Sequence, residues 1–235
     1  MDNDKSLAII QNNTSEILHS ALTNVIAGIT GIASAEKKEL IISFSRILQR
    51  LRGGQFLSTL LNEWNEYCQK GKIDDSYQES EQHFNCLQEM LDFLDNDIPN
   101  EIRFSVLKKI FLVAALESVT DRNSLIPYEY MKICRKLSSG EILVLNTTYH
   151  IAQKKNWTKH SRMNTSVWLT SIAKESGLDT NELVEIHENE LMKKRLLNQR
   201  TYSDGGSVHL ESKYRLTELG YNLCSYIENY ENFSA

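Results

Sequence analysis

A helical rhythm of apolar residues runs through most of this chain, and only two prolines, Pro99 and Pro127, punctuate it. Proline removes a backbone donor and clashes with the preceding turn, so a chain this poor in proline can sustain long helices. Between the two, NEIRFSVLKKIFLVAALESV places Ile102, Val106, Ile110, Val113 and Leu116 at helical spacing. The stretch is apolar on more than one face, which predicts a helix at the centre of a core. ELIISFSRILQRL, FLSTLLNEWNEYC and HFNCLQEMLDFL repeat the three-four rhythm, divided by Gly53-Gly54 and by the polar run QKGKIDDSYQES. No alternating strand pattern precedes residue 198. Residues 1–137 therefore read as an all-helical domain, a bundle with short connections.

A second domain is expected over 138–235, and the fold class as a whole is mainly α. SSGEILVL offers a capping box, in which the Ser138 hydroxyl accepts from the Glu141 amide and the Glu141 carboxylate returns to the Ser138 amide. A helix should run from there to about Lys155. The next, about Thr165 to Ser176, ends at Gly177 in a left-handed position, and Leu178 plugs the turn. Asp179 is placed to cap a third helix, with Glu182 completing the box and Val184, His187, Leu191 and Leu196 on one inward stripe. Asp204-Gly205-Gly206 supplies the positive-φ residues of a hairpin turn, and SVHLESKYRL alternates as a returning strand should. LTELGYNLCSYI then opens with Thr217 as N-cap and turns Leu219, Leu223 and Ile227 inward.

This order of elements resembles a winged helix-turn-helix carrying one β-hairpin, and the closing LTELG is similar to the segment after the wing in the MarR and PadR repressor families. The resemblance implies a dimeric DNA-binding regulator whose third helix enters the major groove and whose wing touches the backbone. The residues oppose part of that implication. With Val184, His187 and Leu191 facing in, the third helix turns Glu182, Glu185, Asn189 and Glu190 outward, with Asn181 at its start. Carboxylates near phosphates are repelled by them, and a glutamate reads a base only by accepting from cytosine. Positive charge is displaced to Lys193, Lys194 and Arg195 at the helix end, where it also complements the helix dipole, and to Arg200, Lys213 and Arg215 beside the wing. Lys154, Lys155, Lys159 and Arg162 with Trp157 form a further basic group. Over 138–235, eleven Lys and Arg face twelve Asp and Glu, so the half that should bind DNA is nearly neutral.

The whole chain, with a formal charge of −5, has no global basic footprint either. Its four cysteines are far apart and MDNDKS does not resemble a secretory signal, so reduced thiols and a cytoplasmic location are expected. ALTNVIAGITGIASA, residues 21–35, is too short to span a membrane; Gly28, Gly31 and Ala35 suit close helix packing or self-association. His83 and Cys86 are spaced as half a zinc site, with no second Cys/His pair to answer them, and Asp74-Asp75 and Asp95/Asp97 read as caps and solvated faces. No phosphate loop, HExxH or GxSxG occurs, so neither cofactor nor metal nor enzymatic activity is expected. FLVAALESVTDRNSLIPYEYMKICRKLSSGEILVL resembles a stretch of bacterial helical proteins, some grouped with phage abortive-infection factors of the alpha type, which implies a bacterial origin and a role in phage defence.

The expectation is a non-enzymatic regulatory or adaptor protein. Glu182, Glu185, Asn189 and Glu190 would meet a protein partner, which could be a second copy of the chain. The alternative is a dimeric transcriptional regulator in which Lys193, Lys194, Arg200, Lys213 and Arg215 contact phosphates and Asn181 or Asn189 contacts a base.

Overall fold

The computed structural model describes residues 34–73, 75–116, 125–154, 165–199, 201–203, 208–210 and 215–234. The chain is mainly helical and divides into two compact units, Met1–Arg135 and Lys136–Ala235. The small-residue stretch around Gly28 and Gly31 lies outside the described residues, as do Lys155, Trp157, Lys159, Arg162, Arg200 and Lys213.

The first unit contains α1 (Ser34–Leu48), α2 (Leu51–Gln69), the single turn α3 (Asp75–Gln78), α4 (Glu81–Asn96), α5 (Glu101–Ala115) and α6 (Ile126–Arg135). Gly53-Gly54 does not divide helices as the sequence suggested; both residues sit inside the first turn of α2. The break falls earlier, at Gln49 and Arg50, and the glycines allow close approach there. A Cβ on Gly54 would lie 3.0 Å from the Leu48 carbonyl oxygen, and one on Gly53 would lie 3.2 Å from Ile47 Cγ2. Arg50 and Arg46 both pair with the buried Asp95 carboxylate, at 3.1 and 2.9 Å, pinning the α1–α2 junction to the end of α4.

Capping explains where α4 and α5 begin. The Ser80 hydroxyl accepts from the His83 amide, and the Asn100 side chain, just after Pro99, accepts from the Arg103 amide. Helix α5 is central, with Phe104, Leu107 and every residue from Ile110 to Ala115 buried, whereas Ile102 and Val106 are only half-buried. The stripe read from sequence thus holds at Ile110, Val113 and Leu116, while in the first half of the helix Phe104 and Leu107 take the inward positions in place of Ile102 and Val106. His83 and Cys86 are both sealed in this core. The His83 ring lies 5.1 Å from Trp64, 5.3 Å from Tyr77 and 5.5 Å from Phe111, an aromatic packing cluster. Desolvation pushes the Cys86 thiol up to about 12.

The second unit contains α7 (Ser139–Gln153), α8 (Thr165–Ser176), α9 (Asn181–Lys193) and α10 (Glu218–Ser234). Both halves of the Ser138/Glu141 capping box are made. Helix α8 ends as its sequence predicts: Gly177 takes φ +73° and the Leu178 amide returns to the Ala173 carbonyl at 3.2 Å. Helix α9 starts one residue later than expected. Asp179 is itself left-handed, at φ +61°, so its side chain is not the cap; Thr180 is extended and its hydroxyl accepts from the Leu183 amide. Thr217 caps α10 by accepting from the Gly220 amide at 2.9 Å. That helix turns Gly220, Leu223 and Cys224 inward while Leu219 is exposed, so its buried stripe is rotated by about one residue from the predicted one. Thr201–Ser203 and Val208–Leu210 pair antiparallel, with Tyr202 opposite His209.

Candidate recognition face of the second unit

Helix α9 packs on α7 and α8 through Val184, Glu188 and Leu191, spaced four and three residues apart. His187, which the sequence suggested for this stripe, lies half-buried at its edge against Gly140 of α7. At about 100° per residue, the opposite side of the helix is centred on Glu182, Ile186, Asn189 and Lys193. Glu182, Glu185 and Asn189 are exposed. So are two aliphatic side chains that the sequence reading passed over, Leu183 at 43% and Ile186 at 56%. No ion-pair partner for Glu182 or Glu185 is found among the described residues. Among the described residues, the face therefore combines negative charge that no ion pair offsets with an apolar centre.

The positive residues are placed differently from the sequence expectation. Arg215, offered as a phosphate contact, is only 5% exposed and reaches inward, its Nη1 lying 2.6 Å from Glu188 Oε1. A charge at that depth is not available to a nucleic-acid backbone, so Arg215 is an internal ion-pair partner and not a phosphate contact. Lys194 pairs with the buried carboxylate of Glu141, and Lys193 pairs with Glu190 one turn back at 2.6 Å. Lys154 holds Glu175 at 2.5 Å. Each described member of the proposed phosphate-contact set thus already faces a carboxylate. Asn181, the candidate base reader, is half-buried and donates to the Thr170 hydroxyl at 3.4 Å, joining the start of α9 to α8.

Glu141 shows how the site is held. Burial acts to raise its pKa, but the Lys194 ammonium and the Ser138 amide and hydroxyl outweigh burial and leave it below the ordinary carboxylate value. One carboxylate thereby caps α7 and anchors the end of α9. Trp168 of α8 donates from its indole nitrogen to Glu188 Oε1 at 2.8 Å, on the side of α9 opposite its exposed face.

Among the described residues, no group of three or more His, Cys, Asp or Glu side chains could hold a metal ion, and no helix is long and apolar enough to cross a membrane. Comparison with protein-family models, curated proteins and solved structures finds no match to this chain.

Proposed function

We propose that the second unit is a winged helix whose third helix, α9, docks a basic protein partner, making the chain a non-enzymatic regulatory or adaptor protein. The carrying observation is the outward face of α9, where exposed Leu183 and Ile186 lie among Glu182, Glu185 and Asn189. An apolar centre with a charged rim is the usual anatomy of a protein interface. The rim carboxylates would steer lysines and arginines of the partner toward it and repel a phosphate backbone. The engagement of Lys193, Lys194 and Arg215 by carboxylates supports the same preference. The winged-helix reading draws its support from the helix–turn–helix of α8 and α9 and from the capped α10.

The test compares the intact chain with E182K/E185K and I186S variants as bait in bacterial lysate, alongside gel-shift assays on duplex DNA at low salt. A specific protein retained by the wild type, lost from both variants and released by raised salt is expected. Partners unchanged by both variants would sink the proposal, and so would a duplex shift that survives competitor DNA. Capture of the chain by itself, lost in the same variants, would identify the face as a self-association surface.

A further inference from the structure

Glu188 sits at 1% exposure on the inward stripe of α9, between Val184 and Leu191. Its Oε1 accepts from Trp168 Nε1 at 2.8 Å and faces Arg215 Nη1 at 2.6 Å, with the two ion-paired side chains only 2% and 6% exposed. Arg215 is held by its backbone as well. Its carbonyl accepts from the Asn198 amide at 2.7 Å and its Nε donates to the Asn198 carbonyl at 3.0 Å. Around it, the Thr217 amide donates to Leu196 at 3.2 Å, the Thr217 hydroxyl donates to Arg195 at 2.8 Å, and Leu197 bridges Leu216. The chain thus leaves α9 and returns to α10 through two junctions, 195–198 and 215–217, that meet at one buried guanidinium.

Two costs converge on that residue. A buried ion pair loses solvation that its own attraction often fails to recover, so an apolar pair of similar size is commonly as stable. Arg215 also adopts φ +78°, a left-handed conformation unfavourable for any residue with a Cβ. Neither cost favours folding in itself. What they secure together is geometry, because a charge on α9 accepts one particular residue of the returning chain.

We infer that the Glu188–Arg215 pair is a conformational latch. Closed, it fixes the junctions at 195–198 and 215–217 against α9; opened, it frees both junctions while α7, α8 and α9 stay folded. The latch stands whether or not α9 docks a basic partner.

Amide hydrogen exchange on the intact chain tests it, comparing peptides over the two junctions with peptides over α7 and α9. E188Q leaves the Arg215 charge buried without its carboxylate, so exchange at the Asn198 and Thr217 amides should rise on the order of 100-fold, with less than about threefold change in the helices. E188M/R215M removes both charges and restores apolar packing. It should keep the wild-type unfolding midpoint yet retain junction exchange roughly tenfold or more above wild type. If E188Q does not fold, the double variant decides alone. Exchange rising equally in helices and junctions would make the pair an ordinary core contact, and unchanged junction exchange in the double variant would show that the pair does not hold them. Either result overturns the latch.

Discussion

Replacing Gly220 by alanine should destabilise the second unit although it puts a better helix former into a helix. Within α10, intrinsic propensity favours alanine over glycine by about 1 kcal/mol. The surroundings oppose this: an added Cβ would lie 2.2 Å from the Leu196 carbonyl oxygen and 3.1 Å from its carbon, where ordinary contact begins near 3.4 Å. Relief requires a movement of more than an ångström, and the obstacle is backbone, not a side chain that can swing aside. Leu196 is fully buried, its amide donates to Leu191 at 2.9 Å, and its carbonyl accepts from the Thr217 amide and hydroxyl, both at 3.2 Å. Overpacking of this kind costs about 1–3 kcal/mol. A weakened hydrogen bond adds about 1 kcal/mol. Set against the propensity gain, the net loss is about 2 kcal/mol. For a unit of this size that lowers the midpoint by about 8–16 °C. Calorimetry gives the midpoint, and hydrogen exchange in α7 and α10 assigns the loss to the second unit. Gly177→Ala is the control: it carries φ +73° with nothing within 4 Å, so it should cost only about 1 kcal/mol of backbone strain. A G220A chain as stable as the wild type, or more stable, would refute the close-approach reasoning.

Gly140→Ala should act through a side chain, since its Cβ would fall 2.1 Å from His187 Nε2; H187A should rescue it, giving a coupling above about 0.5 kcal/mol in a double-mutant thermal cycle. Glu141, with its pKa held below the ordinary 4.5 in the folded chain, binds a proton more readily when unfolded. Its contribution is therefore present above pH 4.5 and lost as the pH falls through the lower folded value, so E141Q should flatten the acid limb of urea-unfolding stability against pH. Cys86 and Cys134, whose thiols burial pushes up to about 12, should resist iodoacetamide at pH 8 until denaturant unfolds the first unit, as read by mass spectrometry of their peptides.

The local signals that were legible in the sequence are those in which one residue acts on its own backbone. Ser138 with Glu141, Thr217 and Gly177 each satisfy or terminate a helix end within a few residues, so their roles follow from spacing alone. Gly53 and Gly54 misled because glycine has two uses. Read as a breaker they divide helices; in place they admit the end of α1 to the first turn of α2, a contact with no local signature. Asp179 failed for a related reason, as an aspartate before a helix can cap it or can take the left-handed turn that precedes the cap. The inward stripe of α10 was missed by one position because Gly220 adds no apolar signal, although the close approach of Leu196 makes it one of the most constrained residues there.

At the candidate site, the limit lay in how charge is read. Glu188 follows Val184 by four residues and precedes Leu191 by three, so periodicity alone places it inside. Carboxylates ordinarily face solvent, and the stripe read from sequence ran through His187 instead. That rule fails only where a distant cation waits, and Arg215, twenty-seven positions further along the chain, is not readable as a partner from spacing. Leu183 and Ile186 show the converse, since these aliphatic residues, given no place in the stripe read from sequence, are left outside by the helix that Glu188 turns inward. A buried carboxylate and an exposed isoleucine two residues apart on α9 are therefore one fact about the rotation of the helix. Had His187 taken the central inward position, the outward face would turn with it, moving Ile186 toward its edge, so which side chains α9 leaves exposed depends on where Arg215 arrives.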